Sequence, residues 1–231
     1  MDFKENKRYF SSTGCLMLLL YSIFWLIIIA PYCIHNFGNA SVVWGTLVYI
    51  VLIVIFVNIV NIGKMTDAQY DASMKEQQKA LEQRALDKLG LDIDEVKEID
   101  PIVIDGYNYN NFTLSKKGKD GLWRTNMYNV MYLFFSQNEV HVYTCEFCTT
   151  EEQKKDSTDV YFYQDIVSVS TESASATFKL YLNLKDEKVQ YESFKLTTSG
   201  GTSLLVAIRD SDNAQRSISG MRQLLRAKKM S

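Results

Sequence analysis

The sequence predicts an α+β membrane protein in which a two-helix transmembrane hairpin precedes a linker helix and a bent, seven-stranded antiparallel sheet or barrel capped by a C-terminal helix. Three observations support this order. Residues 13–34 and 41–62 contain no Asp, Glu, Lys, Arg or His. A polar stretch of strong helix formers occupies 63–98. From residue 99 onward, apolar side chains recur at every second position, as they do in half-buried strands.

The two apolar stretches are each long enough to cross a bilayer, which takes about 20 residues. Only residues 35–40 separate them, so we expect antiparallel neighbours that form a hairpin over 13–62, after a tail at 1–12. An apolar stretch after a basic start also suggests a signal peptide, but the first stretch is long and no convincing cleavage site comes after it.

Basic residues flank the hairpin on one side only. Lys4, Lys7 and Arg8 precede it, Lys64 comes after it, and the short connecting loop has no Lys or Arg. The positive-inside rule therefore predicts that both termini and everything after the hairpin are cytoplasmic. The predicted location is the plasma (inner) membrane, with the lipid bilayer as a partner.

Two asparagines, Asn58 and Asn61, fall on one helical face near the end of the second stretch. They fit a polar contact between helices or a pore lining. They fit equally a helix contact that is partly wetted by the headgroup region. Neither stretch holds a charged residue, so a proton relay has no members there.

The linker helix is predicted over Ala68 to Leu89. Thr66 or Asp67 serves as its N-cap and Gly90 ends it. Its apolar stripe is interrupted too often for a coiled coil. Two interpretations stay open: a spacer or oligomer seam, and a solvated helix packed loosely on the C-terminal region.

The last region, residues 99–231, reads as strands and then one helix. In that helix Ala214, Ile218, Met221 and Leu225 form a single apolar stripe suited to plugging an open end of the sheet. The predicted strands are Ile102–Ser115, Leu122–Ser136, Glu139–Cys148, Val160–Ser170, Thr177–Leu184, Tyr191–Thr198 and Ser203–Ile208.

This order resembles the pleckstrin-homology (PH) superfold, especially the bacterial PH-like and GRAM-like domains attached to short membrane hairpins. Leu122-Trp123-Arg124 and the alternating apolar residues after it resemble the second strand of that family. Residues 163–169, Tyr-Gln-Asp-Ile-Val-Ser-Val, resemble its polar-Asp-Ile-x-Ser-Val strand. The resemblance covers about residues 100–231 and implies a PH-like domain that binds a partner.

The resemblance also implies a weak lipid- or anion-binding site at Lys116, Lys117 and Lys119, which occupy the predicted loop between the first two strands, and at Arg124 just beyond that loop. In lipid-binding PH domains, basic residues near this loop hold anionic headgroups through charge-assisted hydrogen bonds. An ordinary solvated turn has the same composition.

Catalytic, metal and cofactor sites are not predicted. The chain has two histidines, no G-x-S-x-G sequence and no Gly-rich phosphate loop. Cys145 and Cys148 have the C-x-x-C spacing, but further zinc ligands are lacking nearby, so we interpret them as two reduced thiols. Residues 64–231 have a net charge of about −3, which argues against nucleic acid as a partner.

The sequence thus predicts a membrane-tethered, non-enzymatic binding or adaptor module that presents its PH-like domain to a protein or lipid partner. The alternative is a homo-oligomeric membrane effector, a pore or an immunity/defence component, regulated by the PH-like domain. Both hypotheses include a protein partner or self-association.

Overall fold

The computed structural model describes residues 1–11, 20–29, 31–32, 35, 39–92, 96, 99–178, 186–209 and 211–230. The chain forms two compact units. One contains Met1–Asn6 and Asp67–Ser231, and the other contains Lys7–Thr66. Helix α1 (Phe3–Phe10) runs from the first unit into the second.

The Lys7–Thr66 unit is helical where it is described. Residues 20–24 are α-helical and lead into a π-helix at Trp25–Ile29, while α2 covers Asn39–Asn61. The Trp25 ring stacks on Tyr49 with 5.0 Å between centroids, and the Tyr49 hydroxyl lies 2.9 Å from Ser22 Oγ. Many of its described large apolar side chains are exposed, Trp44 among them.

The predicted transmembrane hairpin is wrong by the criterion of helix length and apolarity. Across the part of the chain that the structure describes, no helix combines the two properties that a membrane span needs. In the first predicted span, 13–34, the described helix changes to π geometry at Trp25–Ile29.

The same finding contradicts the predicted integral location in the plasma (inner) membrane, with both termini cytoplasmic. The membrane tether of the adaptor hypothesis and the membrane pore of the alternative both depend on those spans. The described helices therefore support neither membrane role.

The described residues of the larger unit form three antiparallel sheets. Their strand orders are β1-β4-β5-β6, β2-β3 and β7-β8-β9. The described strands are β1 (Ile102–Tyr107), β2 (Ser115–Lys117), β3 (Trp123–Thr125), β4 (Met127–Phe135), β5 (Glu139–Cys148), β6 (Lys154–Phe162), β7 (Ile166–Phe178), β8 (Glu187–Thr198) and β9 (Ser203–Ala207).

The four-stranded and three-stranded sheets meet where β1 lies beside the end of β9. The Arg209 amide donates to the Asp105 carbonyl at 2.9 Å. Gly106 faces the Ala207 carbonyl so closely that a Cβ at this position would overlap it. At the opposite side a 3₁₀ turn, Tyr163–Asp165, connects β6 to β7, and these two strands are the outer edges of their sheets.

The main core fills the space between these two sheets. Ile104 of β1, Leu133 of β4, Val142 of β5 and Phe194 of β8 are all buried in it. Helix α3 (Asp67–Leu89) precedes the sheets, and helix α4 (Ser211–Met230) comes after them. The predicted stripe of α4 is confirmed, since these side chains belong to the same core: Ala214, Ile218, Met221 and Leu225.

Helix α3 packs against the opposite face of the four-stranded sheet. Tyr70 and Met74 are fully buried, and the Tyr132 hydroxyl of β4 donates to the Gln78 carbonyl at 2.6 Å. The helix ends at Leu89 as predicted, before Gly90 with a φ of +66°. It is therefore an integral layer of the unit, where the sequence left a spacer and a loosely packed helix open.

The predicted strand Glu139–Cys148 is confirmed as β5. The predicted strand Val160–Ser170 is wrong, because the Tyr163–Asp165 turn divides it between β6 and β7. The N-terminal half of β6 was not predicted because its residues are polar. Such residues are tolerated there because β6 is an edge strand whose side chains are mostly exposed.

Two other predicted strands are shorter or divided. The first ends at Tyr107 as β1, and the segment from Leu122 separates into β3 and β4. Strand β7 ends at Phe178, so most of the predicted Thr177–Leu184 strand lies outside the described residues.

Truncating Met74 tests whether α3 is part of the folded unit. Since this side chain is fully buried, Met74→Ala is expected to lower the free energy of unfolding by about 2–5 kcal/mol. Glu76→Ala, on the exposed side of the helix, should change it by less than about 0.5 kcal/mol. Urea unfolding followed by circular dichroism measures both. Equal small effects would contradict the packing of α3.

Candidate functional site

The basic side chains predicted to bind anions all lie on the β2–β3 hairpin, where carboxylates already face them. Lys117 Nζ lies 2.6 Å from Glu187 Oε1, and Lys116 Nζ lies 3.7 Å from Asp67 Oδ1. The Lys119 amide donates to Asp67 Oδ2 at 2.8 Å. The loop is thereby held to β8 and to the first turn of α3.

Arg124 is buried and binds two carboxylates at once. Its Nε and Nη2 donate to Asp71 at 2.9 and 2.8 Å, and its Nη1 and Nη2 donate to Asp120 at 3.0 and 2.6 Å. Its side chain is 2% exposed. These bonds occupy the donors that an external anion would need, so Arg124 acts as a structural tie between α3 and the hairpin.

Asp71 receives further donors besides Arg124. Tyr107 donates its hydroxyl to Asp71 Oδ1 at 2.6 Å, and Arg209 Nη2 lies 3.8 Å from Oδ2. Burial alone would raise the pKa of Asp71, but the hydrogen bonds from Arg124 and Tyr107 outweigh it and hold the pKa below its usual range. Burial and the neighbouring carboxylate both raise the pKa of Tyr107, so its hydroxyl remains a donor.

The two asparagines lie on α2. Asn58 donates to the Val54 carbonyl of its own helix at 2.7 Å. The side chain of Asn61 lies outside the described residues, so the polar contact between helices or pore lining that the two asparagines suggest stays a prediction.

The two cysteines of the C-x-x-C sequence are free and buried. Asn126 Nδ2 donates to Cys148 Sγ at 3.3 Å, and burial raises the pKa of the Cys145 thiol. Within the described part of the chain, no group of three His, Cys, Asp or Glu residues is placed to hold a metal ion.

Three exposed apolar side chains at the turn between β6 and β7 were not predicted from the sequence. Val160, Phe162 and Val167, which we name the corner patch, are 49%, 56% and 61% exposed. Tyr163 lies between them, buried, and donates its hydroxyl to the Ser136 carbonyl at 2.7 Å. This anchor fixes the turn that presents the patch. The three consecutive apolar or aromatic residues at 160–162 were the available clue.

The backbone beside the patch is the edge of a sheet. Cys148 of β5 donates its amide to the Gln153 carbonyl. The backbone amides and carbonyls of the even-numbered β5 residues therefore face β6. Glu146 pairs with Lys155, so the odd-numbered residues of β6 bond to β5. The amides and carbonyls of Val160 and Phe162 therefore point away from the sheet. A partner strand beside Val160 and Phe162 could therefore form backbone hydrogen bonds and also contact apolar side chains.

Comparison with models of known protein families finds no match to this chain, and comparison with curated proteins finds none either.

Replacing Arg124 tests its structural role. Arg124→Ala is expected to cost about 3–5 kcal/mol in unfolding free energy, because it leaves Asp71 partly buried without its main counter-charge. Lys117→Ala removes an exposed pair and should cost less than about 1 kcal/mol. Urea unfolding at pH 7 measures both. Similar small losses would mean that Arg124 is available to a ligand.

Asp156 gives a pH-dependent contribution to stability. Hydrogen bonds from Lys88 and Arg84 of α3 lower its pKa to about 2. Since its pKa is near 3.9 in unfolded chains, this contribution is complete above about pH 5 and is lost as the pH falls toward 2. Asp156→Asn should lower Tm by about 2–4 °C at pH 7. The difference should shrink at pH 2.5. An equal difference at both pH values would contradict this assignment.

Proposed function

We propose that this chain is a non-enzymatic binding module whose PH-like region, residues 99–231, binds an extended protein segment along the edge of β6. The observation that carries the proposal is the corner patch beside outward-facing backbone groups. Val160 and Phe162 each contribute an exposed apolar side chain and outward-facing backbone groups.

The PH-like assignment is supported by topology. Four strands, β1-β4-β5-β6, form one antiparallel sheet and three consecutive strands, β7-β8-β9, form another. The apolar stripe of α4 packs into the core between the two. Apart from the additional β2–β3 hairpin, these seven strands and the final helix follow the order on which the resemblance to the PH superfold rests.

Strand addition explains how such a surface gains affinity and selectivity. An added strand pairs its backbone with the outward groups of β6, which supplies affinity without regard to sequence. Its alternate side chains then lie beside Val160 and Phe162, which selects apolar residues two positions apart. Exposed Lys154 and Lys155 at the start of β6 favour an acidic residue about six positions away. The expected partner segment is therefore extended, apolar at one end and acidic at the other.

A protein partner is favoured over an anionic lipid headgroup by the state of the basic loop. Lys117 and Arg124 each contact carboxylates within 3 Å. A headgroup at this loop would have to displace those carboxylates, whereas a strand that pairs with Val160 and Phe162 has no ion pair to displace.

Selection from a displayed library of random 12-residue peptides tests the proposal. The full chain is used, in a mild detergent because the Lys7–Thr66 unit exposes apolar side chains. We expect a consensus with two apolar residues at alternate positions and an acidic residue beyond them. Binding of a consensus peptide should slow amide exchange within residues 154–162.

Matched variants make the result specific to the corner patch. Phe162→Asp should weaken the selected peptide at least tenfold. Leu122→Asp, which also replaces an exposed apolar side chain but lies in the β2–β3 hairpin region, should leave affinity unchanged. Both variants should melt at the temperature of the parent chain. A consensus peptide that binds Phe162→Asp as tightly as the parent, or the absence of any consensus, would overturn the proposal.

A further inference from the structure

The other sheet edge, β7, has different chemistry from β6. It is the outermost strand of the β7-β8-β9 sheet and runs over Ile166–Phe178. Most of its side chains from Thr171 onward are exposed. This edge plays no part in the proposed binding of a partner at β6.

The orientation of the β7 backbone is set by its neighbours. The Ile208 amide donates to the Glu192 carbonyl. The backbone amides and carbonyls of the even-numbered β8 residues therefore face β9, and those of the odd-numbered residues face β7. Ser193 pairs with Glu172, which assigns the even-numbered residues of β7 to the β8 ladder. The amides and carbonyls of the odd-numbered residues, 169 to 177, therefore point outward.

Helix α4 covers only the beginning of this edge. Arg222 Nε donates to the Val169 carbonyl at 2.8 Å, and Lys229 Nζ donates to the Ile166 carbonyl at 2.5 Å. Beyond Val169, no hydrogen bond from another described strand or from α4 reaches the outward backbone groups. Residues 170–178 form an open edge.

This open edge lacks the features by which proteins usually discourage strand pairing. Lysine, proline and inward charges serve that purpose on most edges. Strand β7 has no Lys, Arg or Pro, and its single charge, Glu172, is paired with Lys195 of β8 at 2.8 Å.

The sequence of the open edge is nearly the same in both directions. Residues 171–177 read Thr-Glu-Ser-Ala-Ser-Ala-Thr. An antiparallel pair of such strands centred on Ala174 places Thr171 opposite Thr177, Ser173 opposite Ser175, and Ala174 opposite itself. Glu172 then faces Ala176, so no like charges meet. Hydrogen bonds between opposed hydroxyl side chains, such as those of a Thr–Thr pair, are favourable across strands.

The backbone orientation agrees with this register. Residues 171, 173, 175 and 177 all point outward, and in the Ala174-centred pairing they are the ones that oppose each other. Each opposed pair exchanges two N–H···O bonds. A register displaced by one residue would place an outward residue opposite one bonded to β8.

We propose that β7 is a self-association edge, where two copies of this chain pair antiparallel about a two-fold axis at Ala174. The interface joins the two β7-β8-β9 sheets into one continuous sheet. It is small and made of short side chains, so the dimer is weak and forms at high protein concentration.

Disulfide trapping tests the proposed register. Across the axis the two Ala174 residues form a pair without direct hydrogen bonds, whose Cα atoms lie about 4.5 Å apart, within disulfide range. In Ala174→Cys, oxidised glutathione should convert two thiols into one intersubunit disulfide while it is reduced to two glutathione thiols. The dimer is measured by non-reducing electrophoresis of the full chain.

Three controls define the background. The parent chain shows how much dimer its native cysteines form. Thr158→Cys places a thiol on the exposed β6 edge. Ser170→Cys lies on β7 but is separated from its counterpart by about eight residues, roughly 26 Å, in the proposed register. Ala174→Cys should form dimer at least ten times faster than all three. Equal or slower trapping would overturn the proposal.

A charge exchange provides an independent check in the Ala174→Cys background. Ser173 and Ser175 are exposed, so replacing both by Glu, or both by Lys, should preserve the fold. Either variant alone opposes like charges across the axis and should lose at least nine-tenths of its trapping rate. A mixture of the two should recover a heterodimer. Failure of the mixture to trap, with both variants melting like the parent, would also overturn the proposal.

Discussion

The larger unit depends on one constraint: the central strands β4 and β5 must be covered on both faces. Most of their side chains are apolar or aromatic on each side, and nearly all of β4 is buried. The β7-β8-β9 sheet and α4 cover one face, and α3 covers the other. With both faces occupied, the edges β6 and β7 are left as the main surfaces of the sheets on which another chain can add. The architecture thus directs binding toward strand addition.

Charged contacts fix how α3 lies on this sheet. Near its start, Asp71 binds buried Arg124, and near its end Arg84 and Lys88 hold Asp156 of β6. Apolar packing alone specifies position poorly along a flat face, whereas bidentate pairs specify both register and direction. The residues that resemble an anion-binding loop therefore have an internal role, because α3 itself supplies carboxylates to Lys116 and Arg124.

Local patterns were enough to predict the elements whose stability is local or one-sided. Helix α3 and its Gly90 terminus were predictable from composition and capping, and the stripe of α4 from its period. Strand β5 was predictable from alternation. The burial of α3 was not predictable, since its apolar residues are interrupted by glutamines and its contacts lie far away in sequence.

The site was harder to predict than the fold. The carboxylates around Arg124 come from Asp71 and Asp120, one of them more than fifty residues away, and sequence spacing does not reveal such a partner. The corner patch was hidden for a different reason. The turn at Tyr163–Asp165 interrupts one run of strand-forming residues, so a single strand was predicted where two edges exist. The apolar stretches near the N-terminus matched a membrane pattern in sequence, yet no described helix meets the length and apolarity of a span.

Hydrogen–deuterium exchange of the full chain, resolved by mass spectrometry, tests the central claim most directly. If α3 is the cover of the central sheet, amides of residues 70–86 should exchange as slowly as those of β4 and β5, and all three should open together as denaturant is added. Fast exchange throughout α3, with β4 and β5 still protected, would contradict the account. The outer face of the sheet would then be open, and binding would not be directed to its edges.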